Sequence, residues 1–466
     1  MTLSPQYVSL STRRGRLIVL ATVLGSGAVF IEMTVVNVAL PSIARDLDLG
    51  IAGLQWILDG YLLTLSALIL LGGGLGDVFG RGRIFTIGLI GFSVTSLLVA
   101  VAPGVGALVA ARLLQGAAGA LLVPNSLAVL ETVFAEDERG RAIGQWAGWS
   151  GASTALGPLI GGALLEFSSW RAVFAVVAPF ALLAAWLAHR ALPAAAAQRS
   201  QSLDYAGALL ATIGLAGVIT MLINGPVAGF ATPWVLAAGC AGVVCLGGFG
   251  WYESRTSAPL LPFSMFRVRA FTGANLTTLL VYAALSGLFF LLMLQLQNAL
   301  GLSPLQAGAA LLPINFLLLV LSPIAGGVAT RIGARWPMTI GAAVAGIGML
   351  LFTRVQPGAG YLGAILPALV VFGTGLGMLV APLTAAVLQA APQESKGVAS
   401  AFNNAVARMA GLLAVALLPL AAGMGGAGTV GGAVLVRGFV RAMYISAGLC
   451  FAGAVVAFVT MRSGEE

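Results

Sequence analysis

Residues 17–40 read LIVLATVLGSGAVFIEMTVVNVAL, an apolar run in which Glu32 is the only charged side chain. A helix needs about 20 predominantly apolar residues to cross the hydrocarbon core of a bilayer, so this run is long enough for one crossing. Three arginines precede it, and it is too long for the apolar region of a cleaved signal. It also lacks a small-x-small cleavage site. The run therefore predicts a first transmembrane helix that stays attached.

Runs of this kind recur along the whole chain. Of its 466 residues, 59% are hydrophobic and only 8% are charged, whereas a soluble domain carries about 25% charged residues. The 63 glycines fit helices that pack closely in lipid, because small residues let membrane helices approach one another. The sequence predicts an all-α polytopic membrane protein with fourteen transmembrane helices, at 17–40, 54–73, 84–102, 106–133, 141–165, 169–188, 205–224, 233–252, 270–294, 305–328, 337–354, 361–390, 397–422 and 438–461.

Lysine and arginine residues decide the orientation of such helices. An even number of crossings puts both termini on one side, and sixteen of the 23 basic residues then lie on that side. Five lie on the other side, and Arg112 and Arg408 lie within crossings. This bias predicts a multi-pass protein of the cytoplasmic (inner or plasma) membrane with both termini in the cytoplasm. Because the basic residues stand in small groups at helix ends, the net charge of +8 indicates topology and no nucleic-acid partner.

Two loop sequences each occur twice. GGLGDVFGR at 73–81 is echoed by GGVATRIGA at 326–334, and ERGRA at 138–142 is echoed by ESKGVA at 394–399. The members of each pair lie about 255 residues and eight predicted helices apart, so they fall on the same side of the membrane. This repeat predicts two parallel halves separated by an insertion. The predicted units are a six-helix bundle at 1–188, a linker with two inserted transmembrane helices at 189–269, and a second six-helix bundle at 270–466.

The first copy of the longer loop is a candidate gate. Its glycines permit a tight turn, and Asp77 is placed to pair with an arginine across the half and hold one conformation closed. A solvated turn with unpaired charges is the alternative. The residues assigned to this gating loop are Gly73, Asp77, Gly80, Arg81 and Arg83.

Arg112 is a charge within the fourth predicted helix, where it shares a face with Gln115. A charge at the centre of a membrane helix costs about 2.5 kcal/mol or more unless it faces protein or water. Arg112 is therefore expected to face inward, near a carboxylate. The alternative is that its long side chain extends to the outer surface.

The fifth predicted helix combines several glycines with an internal proline. Proline removes one backbone hydrogen bond and favours a kink, while the glycines let a neighbouring helix pack closely. Close packing alone is one explanation, and a seam along which two halves rock is the other. The residues concerned are Gly157, Pro158, Gly161 and Gly162.

Glu32 and Asp59 are the candidates for proton binding. Removal from water disfavours the charged form of a carboxyl group, so either residue is able to bind and release a proton near neutral pH. The alternatives are that Glu32 is only a structural partner of Arg112 and that Asp59 lies near the outer end of its helix. Further candidates for the wall of a substrate cavity are Asn37, Gln55, Gln115 and Arg408, of which Arg408 is equally well placed at the cytoplasmic entrance.

These stretches resemble the fourteen-span drug:proton antiporter branch of the major facilitator superfamily. FIEMTVVNVALP at 30–41 looks like its first-helix signature, with Glu32 where aspartate is usual, and QWILDGY at 55–61 is similar to its second-helix sequence. GPLIGG at 157–162 resembles the antiporter motif, which in this branch is associated with export. The resemblance covers nearly the whole chain and implies a monomer that exports by alternating access. The chain departs from the usual motifs at Val78, Ala118 and Ser153.

The only lysine, Lys396, has no phosphate-binding loop around it, so an ATP-driven pump is excluded. The sequence also indicates no cofactor, no metal site and no enzyme activity. A gradient is the energy source that remains, and exchange of protons for a small-molecule substrate would use it. The acidic pair favours amphiphiles that are cationic or antibiotic-like. Export of one endogenous natural product or lipid is an alternative, as is a channel or membrane scaffold without coupling.

Overall fold

A computed structural model describes residues 7–193, 203–256, 263–392, 395–425 and 431–461. Arg199, Glu394 and Arg462, which enter the charge bias and the repeat, lie outside the described residues. Within the described ranges the chain forms fourteen long helices, one for each predicted crossing. They are α1 (Arg13–Asp46), α2 (Ile51–Phe79), α3 (Arg81–Ala100), α4 (Val105–Val133), α5 (Glu136–Phe167), α6 (Trp170–Ala191), α7 (Tyr205–Ala228), α8 (Pro233–Glu253), α9 (Arg269–Ala299), α10 (Pro304–Ile332), α11 (Arg335–Phe352), α12 (Tyr361–Gln389), α13 (Lys396–Ala421) and α14 (Gly432–Thr460).

The composition of the helices confirms a polytopic helical membrane protein. Of the helices that the structure describes, thirteen are long and apolar enough to cross a membrane. The fourteenth, α5, has 32 residues but carries three acidic side chains in its first turn and is rich in glycine. The acidic turn lies outside the cavity wall, and the glycine-rich part of α5 packs between the two halves of the protein with one of its faces on a cavity.

The helices begin and end at residues suited to those positions. The side chain of Thr12 accepts a hydrogen bond from the backbone of Gly15 at the start of α1, and Asp204 does the same for Gly207 at the start of α7. The α2 helix ends at Gly80, whose φ of 95° is strained for any residue with a side chain. Gly333 has a φ of 80° at the end of α10. The two glycines occupy the same place in the repeated loop, so the repeat extends to backbone conformation.

Contacts between helix ends define two faces of the bundle. Arg14, at the start of α1, donates to the carbonyl oxygen of Ala191 at the end of α6, at 2.7 Å. Arg269, at the start of α9, donates in the same way to Val459 near the end of α14. We call this side, where α1 begins and α14 ends, the terminus face. Asp46, at the end of α1, pairs with an arginine of α6 on the opposite face.

Helix packing repeats with an offset of eight helices. In the first half (α1–α6), α2 packs on α4, α1 packs on α5 and α6, and α3 packs on α4 and α6. The second half (α9–α14) contains the same contacts, made by the helices eight places later. Two equivalent contacts join the halves, α2 with α13 and α5 with α10, and α7 packs against α2 and α13 with α8 outside it. The unit boundaries at 188, 189, 269 and 270 stay predictions, because packing does not define where a unit ends.

Candidate transport site

A cavity of about 640 Å³ lies between the two halves. Its wall is formed by α1, α2, α4 and α5 of the first half and by α9, α10, α12 and α13 of the second. It extends to Leu388 at the end of α12 and to Ser400 at the start of α13, so it reaches the terminus face. Aromatic and aliphatic side chains alternate in the wall with amides and hydroxyls, which is a lining suited to an amphiphilic small molecule.

A glutamine closes the seam between α2 and α13 on the opposite face. Gln55 of α2 donates to the carbonyl oxygens of Val415 and Ala416 in α13, at 2.7 and 3.1 Å. Pro419 lies four residues after Val415 and has no N–H, so the carbonyl of Val415 lacks its usual partner within the helix. Gln55 supplies that missing hydrogen bond from the other half of the protein.

Two more amides join the halves in the same way. Gln297 of α9 donates to the carbonyl oxygen of Val38 in α1 at 3.0 Å. Asn315 of α10 donates to the carbonyl oxygen of Ala155 in α5 at 3.2 Å. We call Gln55, Gln297 and Asn315 the amide latch. All three donate to backbone carbonyls of the opposite half, which closes the cavity away from the terminus face.

The antiporter motif places α5 in close contact with α10 of the other half. A Cβ atom added to Gly162 would lie 2.6 Å from the carbonyl oxygen of Pro304, so only glycine fits there without a shift. Gly308 of α10 leaves equivalent room for the carbonyl of Pro158. Towards the terminus face the helices separate, and a Cβ atom added to Gly148 would meet no atom within 4 Å. The N-terminal part of α5 thus borders an open space, and its C-terminal part packs tightly against α10.

The remaining glycines of the motif face α1. A Cβ atom on Gly157 would collide with the hydroxyl of Thr34, and one on Gly161 would collide with Val35. The motif therefore packs α5 against its own half through Gly157 and Gly161 and against the other half through Gly162. Both explanations of the motif, close packing and a seam between the halves, describe this arrangement.

Glu32 and Arg112 form a buried ion pair behind the cavity wall. Arg112 Nη1 lies 2.5 Å from Glu32 Oε1, and each side chain is 2% exposed. The same nitrogen donates to Gln115 Oε1 at 2.6 Å, and Gln115 Nε2 donates to Glu32 Oε2 at 2.7 Å. Gln115 Nε2 also donates to Ser96 Oγ at 2.8 Å. The inward orientation that the sequence predicts for Arg112, beside a carboxylate, is the one observed.

Arg112 connects this network to the cavity. Its guanidinium stacks over the ring of Tyr61 at 4.5 Å from the ring centre, and its Nε donates to the carbonyl oxygen of Ile57 at 3.1 Å. Arg112 and Tyr61 line the cavity, whereas Glu32 is not among the described residues of its wall. Arg112 is therefore the residue that contacts both Glu32 and the cavity.

Asp59 is completely buried in α2, and neither carboxylate oxygen has a hydrogen-bond partner among the described atoms. Gln55, one turn earlier on the same face, bonds to α13, and Leu63, one turn later, packs in a cluster with residues of α7 and α13. Asp59 therefore lies at the seam of α2 with α13 and α7. A charged carboxylate without a partner is costly in such a place, so the neutral form of Asp59 fits this conformation.

The gating loop contains an ion pair within one half. Asp77 Oδ1 accepts a hydrogen bond from Arg81 Nε at 2.8 Å, and Arg81 Nη1 donates to the carbonyl oxygen of Ala128 in α4 at 3.2 Å. This joins the turn after α2 to the end of α4. Gly80 supplies the turn, Gly73 lies beside Pro124, and Arg83 is exposed at the start of α3.

The four candidates for the cavity wall divide into two pairs. Asn37 and Arg408 line the cavity, Arg408 at its middle, away from the entrance at the terminus face. Gln55 and Gln115 do not appear among the described wall residues, so their prediction as cavity residues is corrected. The physical reason is that their amides bond elsewhere, Gln55 Nε2 in the latch and both ends of the Gln115 amide with Glu32, Ser96 and Arg112.

Sequence reasoning missed a polar cluster at the terminus end of the second half. Asn403 donates to Asn275 Oδ1 at 3.0 Å and to Thr278 Oγ1 at 2.7 Å. Asn403 and its neighbour Asn404 line the cavity. Two adjacent amides inside an apolar run are the signal in the sequence that points to this cluster.

Two helical halves that pack equivalently around a central cavity, with a closed seam at one face, define a membrane transporter of the alternating-access kind. Residues 22–415 match the sequence profile of the Major Facilitator Superfamily. The chain belongs to this family.

Similar proteins are known at the level of sequence and of structure. The chain is 37% identical to the puromycin resistance protein of Streptomyces alboniger over 97% of its own length and 92% of that protein. It is 35% identical to the tetracenomycin C resistance and export protein of Streptomyces glaucescens, over 86% of the chain and 74% of that protein. The crystal structure of a peptide transporter, POT, in complex with sulfate has a TM-score of 0.71 at 17% identity, covering 98% of the chain and 96% of that structure. This structural likeness concerns the fold.

Proposed function

We propose that the chain is a proton-coupled antiporter that exports small amphiphilic, antibiotic-like compounds across the cytoplasmic membrane, with both termini in the cytoplasm and as a monomer. The observation that carries the proposal is the buried Glu32–Arg112 pair at the wall of a cavity of drug-molecule size. The names of the relatives, which refer to resistance and export, support the same function. The excess of basic residues on the terminus side supports the orientation.

Coupling runs through Arg112 in this proposal. When Glu32 is charged, its oxygens accept hydrogen bonds from Arg112 and Gln115. In the exchange we propose, Glu32 binds a proton from outside as substrate leaves and Arg112 loses its counter-charge, and substrate then competes with protons from the inner side. A proton and a substrate therefore bias the same side chain, which is the condition for a coupling free energy between them.

The proton gradient is sufficient for this exchange. A proton that enters down about 100 mV and one pH unit releases roughly 3.7 kcal/mol. That free energy supports a substrate gradient of roughly several hundredfold for each proton. Asp59 is the second candidate for the proton, since a neutral carboxyl at the α2–α13 seam becomes accessible when that seam opens.

The decisive experiment replaces Glu32 with glutamine. In energised everted vesicles, we expect the wild type to accumulate at least one of puromycin, tetracenomycin C and methylenomycin A, and Glu32→Gln to lose accumulation that depends on the proton gradient. Glu136→Gln, an exposed acid in the first turn of α5, is the matched control and keeps it. Full gradient-driven accumulation by Glu32→Gln would remove Glu32 from the coupling step, and equal flux without a gradient would indicate a channel.

A dedicated exporter of one natural product is the second candidate function. It is supported by relatives named for single compounds, among them the cephamycin export protein of Amycolatopsis lactamdurans, which is 33% identical. A relative from Mycobacterium tuberculosis is instead named a multidrug resistance protein, at 31% identity. Accumulation of one compound of the panel, with no competition by the others, would identify a dedicated exporter.

A further inference from the structure

The cavity wall carries an uncompensated positive charge. Among the described residues that line it, only Arg112 and Arg408 are charged. Arg112 is neutralised by Glu32 at 2.5 Å. Across the ranges that the structure describes, no carboxylate lies within ion-pair distance of Arg408. The wall as a whole is therefore cationic, although the sequence contains two acidic residues in the neighbouring helices.

The neighbours of Arg408 do not neutralise it. Its Nη1 lies 2.8 Å from Met33 Sδ, and a thioether is only a weak acceptor. Tyr61 and Tyr282, both in the cavity wall, lie within electrostatic range of the guanidinium. The hydroxyl of Tyr61 is buried and has no hydrogen-bond partner among the described atoms. The Arg408 guanidinium thus lies at the cavity with N–H groups able to donate to an acceptor, whereas the Tyr61 hydroxyl is enclosed by protein.

The other side chains of the cavity wall indicate what the remainder of a ligand would be. Phe30, Phe289 and Trp146 present aromatic surface to the cavity. Asn403 and Asn404 add amides towards the terminus face. An uncompensated charge inside a membrane protein is costly and marks a functional site by default. A ligand with an aromatic body and one acidic group would offset that cost while it fills the apolar part of the cavity.

We propose that Arg408 recognises an anionic group, so that the exported compounds are aromatic amphiphiles with a carboxylate or another acidic oxygen. This inference rests on the proposed export function and names its substrate class. It differs from the expectation of cations, because Glu32 is already paired and Asp59 lies at the helix seam, away from the wall. Arginine suits the role, since its fork of N–H donors matches a carboxylate in two places.

A pair of dyes with the same tricyclic ring system and opposite charge tests the proposal. Fluorescein is anionic at neutral pH and rhodamine 123 is cationic, and binding of each to the purified full-length protein is measured by fluorescence anisotropy. We expect the wild type to bind fluorescein more tightly than rhodamine 123. Arg408→Gln is expected to weaken fluorescein binding about tenfold or more and to leave rhodamine 123 binding unchanged or tighter. Arg408→Lys, which keeps the charge, is expected to be intermediate.

The control is Arg437→Gln, which removes an exposed arginine of α14 outside the cavity wall and is expected to change neither affinity. Tighter binding of rhodamine 123 by the wild type, or fluorescein binding that Arg408→Gln does not alter, would overturn the anion site. Export of the dyes by energised vesicles is measured separately. If fluorescein binds through Arg408 but the vesicles accumulate neither the dyes nor any compound of the antibiotic panel, the site stands and the proposed function fails.

Discussion

The Glu32–Arg112 pair stabilises the first half only as a pair. Removing one partner leaves a buried charge without compensation, which destabilises a protein by about 3–5 kcal/mol. Arg112→Met is therefore expected to lower the free energy of unfolding by about that amount, and Glu32→Gln combined with Arg112→Met is expected to recover most of the loss. Equilibrium denaturation in mixed micelles measures both. Arg171→Met, which breaks an exposed pair with Asp46, is the control with little change expected.

The double variant distinguishes two explanations for the loss of stability in Arg112→Met. If Arg112→Met and the double variant unfold equally easily, the loss comes from the other contacts of Arg112, with Gln115 and the backbone of Ile57. If the double variant is restored, the loss comes from the unpaired carboxylate. A stable double variant without export would assign the pair to function.

At the scale of single residues, the sequence predicts the placement of charged side chains better than the placement of neutral polar ones. The cost of a charge in lipid predicts that Arg112 faces inward beside a carboxylate, and the structure confirms it. The same argument does not find Gln115 as a bridge or Asn403 as a wall residue, because an amide in a helix carries a smaller and less directional cost. It also does not reveal that Asp59 has no partner, since this depends on three helices that meet only in the fold.

Among the helices, α5 carries the contact on which opening depends. Gly162→Ala places a Cβ atom 2.6 Å from the backbone of Pro304, so α5 and α10 are expected to move apart at the opposite face. We expect a longer and broader distance distribution between spin labels at Gly106 and Arg354, in a chain whose three native cysteines are replaced. Electron spin resonance of the labelled pair measures it.

The control for this substitution lies on the same helix. Gly148→Ala adds the same methyl group where no atom lies within 4 Å, and it raises the helix propensity by about 1 kcal/mol as any Gly→Ala change does. It is expected to leave the distance distribution unchanged. Equal distributions for Gly162→Ala and Gly148→Ala would show that the seam yields without opening.

Helix number follows from the sequence, whereas helix length does not. Hydropathy locates the crossing of α1 at 17–40, but the helix runs from Arg13 to Asp46. Hydropathy also predicts that the crossing of α5 begins at residue 141, whereas the helix begins at Glu136. Hydropathy reports the part of a helix in hydrocarbon, and the polar turns beyond it depend on caps and on contacts with other helices. Those outer turns hold Asp46 and the acidic start of α5.

At the scale of the whole molecule, the repeat predicts two equivalent halves, and the matching helix contacts agree with it. The sequence does not predict which face is closed. In an alternating-access transporter one sequence supports both arrangements. The amide latch and the α5–α10 contact select the arrangement described, in which the cavity reaches the terminus face.

The latch makes the accessible face of the cavity testable. In a chain without its native cysteines, Ser400→Cys places a thiol in the cavity wall near the start of α13. A membrane-impermeant maleimide is expected to label it from the terminus face only. Gln55→Leu combined with Gln297→Leu removes three hydrogen bonds between the halves, each worth about 1 kcal/mol. We expect the double change to lower this labelling by roughly tenfold or more.

Labelling is expected to fall because the latch stabilises only one of the two arrangements, the one open to the terminus face. Without it, the halves spend more time open towards the opposite face, and the route to Ser400 from the terminus face closes. Gln356→Leu is the matched control, because its amide bonds only to the carbonyl of Thr353 within the same half. Unchanged labelling in the double variant would assign closure of the opposite face to the glycine contact of α5 with α10 and to the remaining amide, Asn315. Labelling from the opposite face, absent in the wild type and in Gln356→Leu, would establish that the two neutral amides of Gln55 and Gln297 set the resting direction of the transporter.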